Sequence, residues 1–73
     1  QENREAKDYL IDFYVTEGFD LSDTTFGKRT YDELTKAKKL LEKALELHPE
    51  DPELRGKIAA RLKTINDTLN RLY

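Results

Sequence analysis

The stretch TYDELTKAKKLLEKALELHPEDPEL, Thr30 to Leu54, decides the fold. It opens on Thr30-Tyr31-Asp32-Glu33, a capping box. The Thr30 hydroxyl accepts from the Glu33 amide, and the Glu33 carboxylate accepts from the Thr30 amide. Asp32 and Glu33 also place negative charge at the positive end of the helix dipole. Leu34, Ala37, Leu41, Ala44 and His48 then recur at helical spacing, with Leu40 and Leu47 widening the stripe. His48 closes the helix, where its imidazole is expected to meet terminal carbonyls or the dipole. After a short His48-Pro49-Glu50 link, Asp51-Pro52-Glu53 starts the next helix. Asp51 serves as N-cap, and Pro52 stands where a missing N–H is harmless. So short a link makes antiparallel neighbours. The reading is a helical hairpin, helix two over about 31–48 and helix three from about 52.

Downstream, Leu54, Ile58, Leu62, Ile65, Leu69 and Leu72 continue one amphipathic helix to about residue 72. Ala59 and Ala60 beside this seam suit close packing on a neighbouring helix. Upstream, a first helix is expected over about 3–15. Ala6, Leu10, Phe13 and Tyr14 form its core stripe, with Tyr9 and Ile11 on the flanks and Gly18 as a left-handed stop. Residues 17–29 remain as a long loop. Phe19, Leu21 and Phe26 are large anchors that a disordered tether does not need. They predict an ordered loop that plugs the open side of the hairpin, with Ser22 or Asp20 capping a short helical turn at 22–26. The expected fold is all-α: one domain over 1–73, a three-helix bundle.

Composition agrees with one small core. Of 73 residues, 37% are apolar, and there are 13 Lys+Arg against 15 Asp+Glu, a net charge of −2. Interspersed charge offers no basic footprint for nucleic acid. No apolar run approaches the roughly 20 residues of a membrane span. No cysteine is present, which removes disulfides and thiolate metal sites. The chain opens on Gln1 with no basic and apolar leader behind it, so no signal peptide is expected; the missing initiator Met points to a cleaved tag, a cut domain or a processed chain.

Catalytic chemistry finds no constellation. His48 is the one histidine. Ser22 lacks a Gly-x-Ser-x-Gly elbow. Gly27-Lys28-Arg29-Thr30 has the flavour of a phosphate loop, but Ser22 stands where the first glycine belongs, residue 29 is Arg, and no strand precedes it. Asp20, Asp23 and their neighbours lack calcium-loop spacing. Asp8 and Asp12 share a solvated face without a Glu-x-x-His partner. The expectation is no catalytic residue, no cofactor and no metal. Lys28, Arg29 and the amides after Thr30 converge at a helix N-terminus and leave room for a small-ligand or anion site. Tyr9, Tyr14, Phe19, Phe26 and Tyr31 cluster early in the chain, with Tyr73 at its end. They read chiefly as rings that fill the core. The alternative is a recognition patch for a protein or peptide partner, drawing on Phe19, Leu21, Phe26, Lys28, Arg29 and Tyr31.

Two resemblances follow. Lys43-Ala44-Leu45-Glu46-Leu47-His48-Pro49-Glu50-Asp51-Pro52-Glu53-Leu54 resembles the junction of a tetratricopeptide repeat, whose second helix ends Lys-Ala-Leu-Glu-Leu-Asp-Pro. Ala6, Leu10, Tyr14 and Gly18 fit the spacing of that family's first helix. The stretch from Gly18 to Tyr31 is too long for it, Arg55 stands where an aromatic is usual, and one repeat makes no groove. The resemblance implies hairpin geometry and, more weakly, peptide binding. Residues 37–54 are also similar in style to computationally designed helical proteins, with strong helix formers, regular caps and acid-first salt pairs. That likeness implies an idealised, soluble scaffold whose main property is folding itself; Ala59 and Ala60, which suit close packing on a neighbouring helix rather than a long coiled coil, predict a monomer. Residues 1–31 are less regular, as a selected segment on a rebuilt support would be.

Overall fold

The computed structural model describes residues 2–25 and 27–72, with side chains from residue 5 onward. Phe26 and Tyr73, both expected from the sequence to contribute rings, lie outside the described residues. Three helices follow one another: α1 over Glu2–Leu21, α2 over Tyr31–Glu46 and α3 over Pro52–Leu72. α1 and α3 each pack against α2, giving the all-α three-helix bundle with its antiparallel α2–α3 hairpin.

The start of α2 is the capping box read from the sequence. The Glu33 amide donates to the Thr30 hydroxyl at 3.1 Å, and the Thr30 amide donates to the Glu33 carboxylate at 2.9 Å. At the start of α3, the Glu53 amide donates to Asp51 Oδ1 at 3.0 Å. The end of α2 differs from expectation. The helix stops at Glu46, and His48 leaves the stripe for an exposed position at φ 57°. Its backbone amide, rather than its imidazole, satisfies a terminal carbonyl, that of Leu45 at 2.9 Å. Proline next in line cannot continue the helix.

α1 runs six residues past its expected end, and Gly18 lies inside it. A Cβ at Gly18 would stand 2.7 Å from Leu41 Cγ and Cδ2, so the glycine lets α1 approach α2 closely. Tertiary packing thus outweighs the roughly 1 kcal/mol that glycine costs a helix. Ala37 and Ala44, both fully buried on α2, serve the same approach. α1 accordingly packs on α2 more extensively than α3 does.

The phase of α1 is also different. Its buried positions are Ile11, Val15 and Gly18, at spacings of 4 and 3, and buried Ser22 just past its end continues the phase. The expected stripe of Ala6, Leu10 and Phe13 faces solvent, and Tyr14 is half-buried. Among the described residues no aromatic ring is fully buried: the core is Ile11, Val15, Leu34, Ala37, Leu41, Ala44, Ile58 and Ile65, with Tyr14 and Phe19 packed half-buried against it. On α3 the seam holds through Ile58 and Ile65, with Leu54, Leu62 and Leu69 half-buried, but Leu72 is exposed. Ala59 and Ala60 are exposed, contrary to the close helix packing expected of them.

Candidate functional site

The end of α1 is built by residues from all over the chain. α1 has no basic residue in its last turn, so its terminal carbonyls take donors from elsewhere. The Ser22 hydroxyl, buried, donates to the Gly18 carbonyl at 2.7 Å. Arg61 of α3 donates to the Phe19 carbonyl at 3.2 Å and to Ser22 Oγ at 2.8 Å. Its guanidinium lies 4.7 Å from the centre of the Phe19 ring. Arg29 donates to the Asp20 carbonyl at 3.0 Å, to the Asp23 carbonyl at 2.6 Å and to the Glu33 carboxylate at 3.2 Å. This half-buried guanidinium staples α1, the loop and the first turn of α2 together. The helical turn expected at 22–26 is absent from residues 22–25. Instead Asp23 Oδ1 accepts from the Thr25 amide at 2.9 Å and from its hydroxyl at 2.5 Å, an Asx-type turn.

The electrostatics follow from these bonds. The Thr30 amide, followed by Arg29, holds the Glu33 carboxyl below its ordinary range. The Thr25 hydroxyl and amide do the same for Asp23, with Arg29 a smaller contributor. The helix N-terminus that would attract an anion is thus already served by the chain's own Glu33.

The residues singled out from the sequence are dispersed. Phe19 and Leu21 belong to α1, half-buried and packed against the core. Phe26 lies outside the described residues. Arg29 is the staple, Lys28 is exposed on the loop, and Tyr31 is exposed at the first position of α2. Lys28 and Arg29 line a shallow hollow with Asp23 and Gly27.

A different surface stands out. Tyr9, Leu10 and Phe13 are 69%, 38% and 46% exposed, on the face of α1 opposite Ile11, Val15 and Gly18. Tyr14 forms its border toward α2: its ring centre is 5.8 Å from that of Phe13, and Lys43 Nζ lies 5.9 Å away on the α2 side. Exposed Glu5, Asp12, Glu17 and Asp20 flank the stripe. Sequence reading found these apolar residues but assigned them to the core. The distinguishing signal was the run of small residues, Gly18 and Ser22, in phase with Ile11 and Val15 and matched by Ala37 and Ala44. Arg61 was missed outright, because nothing near it in sequence marks its role.

Among the described residues no group of His, Cys, Asp and Glu side chains is placed to hold a metal ion. No helix there is long and apolar enough to cross a membrane. No family model, curated protein or solved structure matches the chain.

Proposed function

We propose that the chain is a non-catalytic protein-interaction module that presents the outer face of α1 to an amphipathic helix of a partner protein. One observation carries this reading: three large apolar side chains clustered within about one turn, Tyr9, Leu10 and Phe13, are left in water while the opposite face of the same helix is buried. Scattered exposed leucines need no explanation, but a contiguous aromatic stripe rimmed by polar residues does. Regular helical spacing suits a helix laid alongside it. The flanking carboxylates favour a partner helix edged with Lys or Arg. With so few anchors the contact belongs to the small, transient class of interfaces.

The test places a photo-crosslinking side chain at Tyr9 or Phe13, with Lys39 and Lys63 as control positions. Adducts are expected from the stripe alone, and they should vanish with Phe13→Glu while the melting temperature holds. No adduct, or adducts of equal yield from the controls, defeats the reading.

A second reading is an idealised, designed scaffold whose main property is folding. It is favoured by the completeness of the caps on α2 and α3 and by the absence, among the described residues, of any buried side-chain polar atom without a partner. Under that reading Phe13→Glu improves solubility and removes no interaction.

A further inference from the structure

A groove of about 320 Å³ lies between the middle of α1 and the α2–α3 link, on a different face from the exposed stripe. Its floor is aliphatic: Ile11 and Val15 of α1, only 5% and 8% exposed, with Leu54 of α3. Its rim carries Asp8 and Asp12, one helical turn apart on α1, and Asp51 across the gap. Among the described residues neither Lys nor Arg lines it. α1 as a whole holds six acidic residues and two basic ones, whereas α3 holds two acidic and five basic. Negative charge is thus concentrated on α1 and positive charge on α3.

We propose that this groove docks a basic peptide segment of a partner protein, one large apolar side chain entering between flanking Lys or Arg residues. The volume sits at the lower limit of small-molecule pockets and accommodates one or two large side chains, not a whole helix. The aliphatic floor rewards an apolar anchor by excluding water from it. The rim carboxylates are too dispersed to chelate one ion, since no described group of acidic side chains fits a metal. Dispersed negative charge suits dispersed positive charge, and the surplus on α1 steers a cationic segment toward the cleft. Asp51 Oδ1 accepts from the Glu53 amide, which fixes that carboxylate in place at the rim.

The test is a ¹⁵N-resolved titration of the full chain with the capped hexapeptide Lys-Arg-Leu-Leu-Arg-Lys. Saturable shifts are expected around Ile11, Val15 and Leu54, with a Kd in the range of about 0.1–1 mM. The Kd should rise with added salt, because the rim charges are exposed. Asp8→Asn and Asp12→Asn should each weaken binding by about threefold or more, and Glu42→Gln on α2 should not. An unchanged amide spectrum outside the groove verifies that the variants fold. The peptides Lys-Arg-Ser-Ser-Arg-Lys and Glu-Glu-Leu-Leu-Glu-Glu should fail. Equal binding by the serine peptide overturns the proposal in favour of bare charge attraction. Shifts centred on Tyr9, Leu10 and Phe13 overturn it in favour of the outer stripe, and no saturation by about 10 mM overturns it outright.

Discussion

Gly18 occupies a helical site where an added methyl group would strike Leu41, itself fully buried. Gly18→Ala raises helix propensity by about 1 kcal/mol, yet overpacking a tight contact costs about 1–3 kcal/mol. We expect net destabilisation, read as a lower urea midpoint. A higher midpoint would show that Leu41 yields freely. Arg61 makes the opposite kind of contact, joining residues far apart in sequence. Arg61→Leu keeps an apolar stem under Phe19 but strips the donors from the Phe19 carbonyl and from Ser22 Oγ. Leaving such acceptors unmet costs about 1–3 kcal/mol. An unchanged midpoint in that variant would mean that water replaces the guanidinium without loss.

The helices divide by how far their determinants lie along the chain. α2 and α3 begin where the sequence places them, because a cap is local chemistry among neighbours: Thr30 with Glu33, Asp51 with Glu53. α1 was legible as a helix but not in its phase or length. It has apolar residues on two faces, and the choice between them rests on which face meets Ala37, Leu41 and Ala44. The end of α1 was still less legible, since Arg29 and Arg61 approach it from beyond the helix. Two tests belong here. Thr30→Ala should cost about 1 kcal/mol with no change in m-value. Glu33 supplies the other half of the cap in its ionised form, with a folded-state pKa below the ordinary value. Its contribution is fully present above the unfolded pKa of about 4.3 and fades as pH falls through the depressed folded value. Thermal melts taken below about pH 4.3 should therefore show Glu33→Gln losing less stability than the parent on acidification. Parallel acid limbs would remove Glu33 from the linkage.

Across the molecule, packing is uneven. α1 lies close on α2 through glycine and alanine, while α3 rests on bulkier Ile58 and Ile65 and is held at its middle by Arg61. Hydrogen exchange should find the amides of 58–70 less protected than those of 34–44. Identical protection would make the bundle one cooperative unit. The exposed stripe of α1 offers three large apolar side chains, few against the roughly 20–30 residues a side of a standard interface, so the free chain should sediment as an 8.6 kDa monomer.

The bundle measures 43 × 18 × 18 Å. Helices of 20 and 21 residues extend about 30 Å, so α1 and α3 fit only along the long axis. Their N–H bonds are then nearly parallel to that axis, and end-over-end tumbling alone reorients them. Spin relaxation should therefore return one long, uniform correlation time across both helices. The amides of the connecting segment, whose bonds lie at other angles, should report a shorter one. A molecule this small thus carries its own compass, and any departure of a helix from the common axis would be visible as a step in the relaxation profile.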